Sequence, residues 1–231
     1  MNATTTNIFC IIANAGSDQD LYLKYILNDR VFIKHSKLSR LIYNTTKPEN
    51  NEEDKGHNKY KYYTTEQYNT IDSTNVVESR SYYTLLYDTV YYFTLNSDIE
   101  NKNNLICIAS PYQYENYKRW VSIENMKSPD RYHIYAILIH CPLKDRVQNK
   151  LNSSNVDNEK EIVEFCRRVL QDNAEFNDAK ARIPELNDPM NCDNVCYINN
   201  DRSIENDFKI NISQIKGFIL DKVRIDHPGR Q

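Results

Sequence analysis

Glycine is scarce in this chain, with four residues in 231, and there are only three methionines and one tryptophan. Four scattered glycines cannot write a Gly-x-x-x-x-Gly-Lys-Ser/Thr loop, the run whose amides cradle phosphates, and none occurs. Excess charge is missing too. The net charge is −3 and the pI is near 6.0, which argues against a nucleic-acid-binding surface. No apolar run approaches the roughly 20 residues that cross a bilayer. Met1 to Asn7 lacks the basic segment of a secretory leader, so no membrane partner is expected. Of the six cysteines only Cys192 and Cys196 lie close together. A lone Cys-x-x-x-Cys is weak evidence for zinc, and reduced thiols in a cytoplasmic protein with no metal are the expectation.

What the chain does have is 18 tyrosines and many asparagines, the bias of an AT-rich genome such as phages and low-GC bacteria carry. A hydrophobic content of 40% is enough for a real core. The length suits one compact domain, or a core with small inserted subdomains.

Ile8–Ala13 is a short continuous apolar run, the pattern of a strand buried on both faces. Asn14 to Asp20 is polar and turn-like, and Leu21 to Leu27 has helical spacing. Leu105 to Ala109 and Tyr132 to Cys141 are further buried strands, each followed by a helix, Pro111 to Trp120 and Pro142 to Leu151. Strands alternating with helices predict an α/β fold with a mainly parallel sheet. Leu41 to Thr94 breaks the rhythm with short aromatic and β-branched runs, such as Lys59 to Tyr63 and Thr89 to Leu95, and reads as a β-rich insertion. Beyond a polar loop at Asn152 to Asn158, one helix is expected over Glu159 to Asp172 and a second from Asn173 to Arg182. A strand at Val195 to Ile198 and a helix around Ile204 to Val223 close the chain, with a loose tail after Arg224.

Four patterns then fall in a fixed order: Asn44-Thr45-Thr46-Lys47-Pro48, an acidic turn with Glu53 and Gly56 leading to Tyr60, then Glu78-Ser79-Arg80-Ser81-Tyr82, and Tyr92-Phe93-Thr94. This order resembles the nucleoside-monophosphate-binding region of guanylate kinases. Glu161 to Leu170, with Cys166, Arg167 and Arg168, followed by Asp172 and Glu175-Phe176, looks similar to the helix after the lid in guanylate-kinase-like proteins of Firmicutes and their phages. The resemblance implies a P-loop kinase-type parallel sheet flanked by helices, built from 1–40 and 103–231. A monophosphate-binding subdomain would occupy 41–102, and a helical lid about 142–175. Lys47, Tyr60 and Tyr92 would contact the phosphate. Glu78 would take the guanine edge with Thr94 beside it, and Arg146, Arg168 and Arg167 would clamp phosphates from the lid. Lys47 stands where the family has an arginine, and the family's second arginine falls near Glu49 or Asn50, so Arg80 is the substitute cation. The tyrosines equally suit plain packing of a β-subdomain, and Glu78 and Arg80 a surface pair.

The resemblance is weakest after the first strand. Aligned on the family's loop, Gly16 and Ser17 remain, Asp18 stands for the second glycine and Gln19 for the lysine. Gln19 removes the charge that would reach the β and γ phosphates, and Asp18 puts a carboxylate against the anion. Asp18 and Asp20 as Mg²⁺ ligands, or the loop as a plain helix cap, are the other readings. Three classes therefore compete: a protein binding a purine monophosphate of GMP or dGMP type without phosphotransfer, an active kinase using ATP and Mg²⁺, and a protein-interaction module with a protein partner.

Overall fold

All eight residues of the first strand, Thr6–Ala13, are buried, and its alternation divides the interior in two. Ile8, Cys10 and Ile12 pack with Leu105, Cys107, Tyr114 and Tyr117, while Phe9, Ile11 and Ala13 pack with Tyr22, Leu23, Ile26, Ile212, Ile215 and Ile219. A strand covered on both faces is apolar along its length, as Ile8 to Ala13 is, and its buried polar start, Thr6 and Asn7, is hydrogen-bonded to Lys102 and Asn104. The computed structural model of the chain describes residues 5–49, 60–84, 88–153, 159–200 and 207–225.

The chain runs β1 (Thr6–Ala13), α1 (Gln19–Asn28), α2 (Arg30–Ser36), β2 (Leu38–Arg40), β3 (Tyr43–Thr45), β4 (Tyr60–Tyr62), α3 (Thr65–Asn69), β5 (Val76–Thr84) and β6 (Asp88–Leu95). It continues as α4 (Asn96–Ile99), β7 (Asn104–Ile108), α5 (Pro111–Lys127), β8 (Tyr132–His140), α6 (Leu143–Ser153), α7 (Glu159–Arg182), α8 (Pro184–Asn187), β9 (Val195–Asn199) and α9 (Asp207–Ile225). Strands β2-β7-β1-β8-β9 form one sheet, parallel throughout, with helices on both faces. The predicted α/β class therefore holds. The chain leaves β1 toward β2 on one side and later fills the other side with β8 and β9. The carboxyl end of β1 thus lies where the strand succession reverses, the place where open α/β sheets bind ligands.

The second sheet, β4-β3-β6-β5, lies between β2 and β7 in the chain. Its long pair is antiparallel, with Glu78 opposite Thr94, Arg80 opposite Tyr92 and Tyr82 opposite Val90. The two-residue repeat of a strand puts Glu78, Arg80 and Tyr82 on one face. Asp98, 5% exposed, ties this sheet together. Its Oδ2 accepts from Asn44 Nδ2 at 2.6 Å and from the Leu95 amide at 3.0 Å, and Oδ1 receives the Lys61 ammonium. Asp98→Ala takes an acceptor from the buried Asn44 amide and the Leu95 N–H, while the half-exposed Lys61 turns to water, and is expected to lower stability by about 2 kcal/mol, measured by urea unfolding; a loss under ~1 kcal/mol would mean water replaces the carboxylate.

Two expectations need correction. Glu159 to Arg182 is one continuous helix rather than two, because nothing between Asp172 and Asn173 breaks the backbone ladder. The helix Arg30–Ser36 was not foreseen; Asp29 starts it by accepting from the Phe32 amide at 3.0 Å. Residues around Glu53 and Gly56, the acidic turn of the sequence pattern, lie outside the described residues, as do Asn50 and Lys59.

Candidate functional site

Two groups of side chains stand at the carboxyl end of β1 and on the second sheet. The β1–α1 loop takes two left-handed residues, Gly16 (φ 83°) and Asp18 (φ 59°), and Asp18 makes no side-chain cap to α1. Helices α6 and α7 close over it. The Ala15 amide donates to Asp172 Oδ2 at 2.6 Å, Arg146 reaches the Ala15 carbonyl and Asn173 Oδ1 at 3.4 Å each, and Asn149 Nδ2 donates to the Gly16 carbonyl at 2.8 Å and Asp18 Oδ2 at 3.1 Å. Gly16 is pressed against the Arg146 backbone, so closely that a Cβ there would sit 2.8 Å from the Arg146 carbonyl oxygen. Ser17 is fully buried, and its hydroxyl, Gln19 Oε1 and Asn14 Oδ1 have no protein partner.

Burial governs the charges here. It pushes the Asp172 carboxyl up against the pull of the Ala15 amide, Arg146 and Arg168, with Glu175 adding to the rise, and it lowers Arg146. Arg146 is 3% exposed and its Nε is unpartnered. The other two lid arginines are exposed on α7: Arg167 donates to Gln171 Oε1 one turn away at 2.9 Å, and Arg168 is near enough to Asp172 to act on its charge. Arg146 and Arg168 thus both act on the Asp172 charge, while Arg167 bonds along its own helix.

The second group centres on Glu78, 4% exposed. Its Oε1 accepts from Gln113 Nε2 at 3.0 Å and Thr94 Oγ1 at 3.3 Å, and Thr94 shares a 2.7 Å hydrogen bond with the Tyr117 hydroxyl. Glu78 Oε2 is buried with no partner, and so is Arg80 Nε, two residues along the same face. Burial raises the Glu78 carboxyl above the ordinary carboxylate range, while Arg80, Gln113 and Thr94 pull it down. The Arg80 guanidinium lies 5.7 Å from the ring centres of both Tyr82 and Tyr92, and the Tyr60 ring stands 5.7 Å from Tyr92. Lys47 is half-buried and within electrostatic reach of Tyr60. The Thr45 and Thr46 hydroxyls instead bind the β6 backbone at Tyr91, at 3.0 and 2.9 Å. An open groove of about 520 Å³, lined among others by Tyr68, Ile71, Ser79 and Asn116, also borders Glu78.

The two groups lie near each other, with Asp20 at the start of α1 within electrostatic reach of Tyr60 and Glu175 of α7 within reach of Tyr82. Of the residues singled out in the sequence, Lys47, Tyr60, Glu78, Arg80, Tyr92 and Thr94 share the second sheet, whereas Gly16, Ser17, Asp18, Gln19 and Arg146 share the loop. Reading the sequence missed Gln113, Tyr117, Asn149 and Asp172 as members of these two groups. Asp172 stood in the lid-helix pattern without a role, and Gln113 carried a local signal. Ser110, three residues before it, caps α5 and exchanges bonds with it in a capping box. Among the described residues no three His, Cys, Asp or Glu side chains gather as a metal site, and no helix is long and apolar enough to cross a membrane.

No protein-family model and no curated protein matches the chain. Among solved structures it is similar to a guanylate kinase from Anaplasma phagocytophilum, at 12% identity over 96% of this chain and 88% of that one, with a TM-score of 0.45.

Proposed function

We propose that the chain binds a purine nucleoside monophosphate of the GMP or dGMP type on the face of the second sheet and does not transfer phosphate from ATP. The observation that carries this reading is Glu78, a buried carboxylate oriented by Gln113 and Thr94 with one oxygen left unpartnered beside a cation set between tyrosines. Such a carboxylate suits the N–H donors of a base edge. Lys47, Arg80 and the Tyr60 and Tyr92 hydroxyls supply the positive charge and donors that a monophosphate needs.

The loop after β1 does not fit ATP. A donor cradle needs its amides and a lysine for the β and γ phosphates. Here the Ala15 amide is bonded to Asp172, Gln19 stands at the lysine position, and Arg146 backbone fills the space over Gly16. A carboxylate about 4 Å from a phosphate charge costs roughly 4 kcal/mol at an effective dielectric near 20. Asp18 and Asp172 both stand there. The reading therefore routes no step through ATP or Mg²⁺.

Calorimetric titration with GMP, dGMP and ATP-Mg²⁺, followed by a transfer assay with chromatographic separation of products, tests it. The expected result is heat with a monophosphate, none with ATP, and no diphosphate formed. Diphosphate production would replace this reading with an active kinase. Absence of any nucleotide binding by the folded protein would leave the interaction module.

A further inference from the structure

Strand β5 closes one side of the second sheet and is the longest strand at any sheet edge, nine residues against three in β2 and β4 and five in β9. The hydrogen bonds of its neighbour β6 decide which β5 groups point outward. The Tyr91 carbonyl accepts the Thr46 amide at 3.0 Å, and the Tyr91 amide donates to Thr46 Oγ1 at 2.9 Å. The Phe93 carbonyl accepts Asn44 Nδ2 at 3.2 Å, so both residues turn toward β3. Backbone groups alternate sides along an antiparallel strand. Val90, Tyr92 and Thr94 therefore turn toward β5, where they stand opposite Tyr82, Arg80 and Glu78. Ser79, Ser81 and Tyr83 are left with their amides and carbonyls directed away from the sheet. Among the described residues no backbone group bonds to them from outside. Proteins ordinarily blunt such an edge with proline, charge or a covering element. Here the outward positions carry neither proline nor charge, Ser81 is exposed, and Tyr83 is 76% exposed.

We propose that β5 pairs with β5 of a second copy of the chain across a two-fold axis at Ser81, joining the two small sheets into one. A two-fold antiparallel pairing must set outward residues opposite outward residues. Centred on Arg80, it puts two guanidinium groups directly opposite each other, which is unfavourable. Centred on Ser79 or Tyr82, it carries Tyr83 or Ser79 past the end of the neighbouring strand Val76–Thr84. Centred on Ser81, it bonds Ser79 to Tyr83 and Ser81 to its own copy, and every outward group is used. That register also sets Arg80 opposite Tyr82 of the second copy. Within one chain the Arg80 guanidinium already lies 5.7 Å from the Tyr82 ring centre, so the cation meets an aromatic ring in both settings. The symmetry of the outward groups about Ser81 favours this occupant over an unrelated strand. A single strand pairing is a small interface, and the dimer is weak, with a dissociation constant on the order of 1–100 μM.

Sedimentation equilibrium over about 1–300 μM protein tests the pairing. Expected is a mass that rises with concentration from the chain mass of 27.3 kDa toward that of a dimer. Ser81→Lys and Ser81→Glu each set like charges across the axis and weaken the dimer by on the order of tenfold or more. An equimolar mixture of the two sets opposite charges there and recovers association. Ser81 is exposed and its backbone takes no part in the β5–β6 bonds, so both variants keep the fold, as circular dichroism would verify. A wild-type chain that stays monomeric overturns the proposal. So does a dimer that neither variant weakens, or a mixture that recovers nothing. The wild-type mass decides the first point even where a variant does not fold, and Ser81→Pro, which removes an outward amide alone, then takes that variant's place.

Discussion

Gly16→Ala is expected to destabilise the protein by roughly 2–5 kcal/mol. Two independent strains add. The φ of 83° is a left-handed conformation that costs an L-residue about 1–2 kcal/mol. The new methyl would also lie 2.8 Å from the Arg146 carbonyl oxygen and 3.0 Å from its Cβ, and neither can swing away as the end of a flexible side chain would. Overpacking of this kind costs about 1–3 kcal/mol. For a domain of this size the loss corresponds to a fall in Tm of roughly 5–15 °C, read by differential scanning calorimetry. Gly217→Ala is the internal control. It sits within α9 with nothing within 4 Å of an added Cβ, so alanine there is expected to stabilise by about 0.5–1 kcal/mol. Equal effects at the two glycines would mean that α6 does not rest on the loop as described.

Glu78→Gln is expected to weaken nucleotide binding about a hundredfold and yet stabilise the unliganded protein at neutral pH. Glutamine keeps an oxygen to accept from Gln113 and Thr94 but presents N–H where the carboxylate had an open oxygen, so a base donor meets a donor and affinity falls by on the order of a hundredfold. Burial raises the folded-state pKa of Glu78 above its unfolded value, although Arg80 and two hydrogen bonds oppose the rise. A carboxyl shifted upward binds its proton more tightly when folded. Its stabilising contribution is therefore complete below the unfolded value near 4.3 and is lost as pH rises through the higher folded value. The wild type should lose stability against the glutamine variant across that window, leaving the variant ahead by about 1 kcal/mol at pH 7. Urea unfolding from pH 4 to 8 reads the difference directly. A variant less stable than wild type at pH 7 would show that Arg80 outweighs burial and that the apo carboxylate is comfortable where it is.

The parallel sheet was legible because its signal is local. Within Thr6–Ala13 and Tyr132–His140, Ile8 to Ala13 and Ile134 to Ile139 are unbroken apolar runs, and a run of that length between polar turns has few alternatives to a strand covered on both faces. The edges were less legible. Strands of three residues such as Leu38–Arg40 and Tyr43–Thr45 are too short to show a period and exist because a neighbour supplies their hydrogen bonds. The expected break after Asp172 failed because composition alone was asked to place a helix end. Asn173 turns out to lie mid-helix, where its Oδ1 accepts from Arg146.

The sequence by itself determined the α/β alternation, the position of the β1–α1 loop and the absence there of a lysine and a glycine pair, since each is a matter of residue type along a few consecutive positions. That Glu78, Arg80 and Tyr82 share a face came with the strand Val76–Thr84, because a strand repeats every two residues. Only the tertiary structure decided what those side chains can still bind. The Ala15 amide is occupied because Asp172 arrives from 157 residues away, and one Glu78 oxygen is occupied because Gln113 approaches from a helix on the other sheet. Lone pairs and amide protons are used up by neighbours in space, and no spacing along the chain records which neighbour uses them.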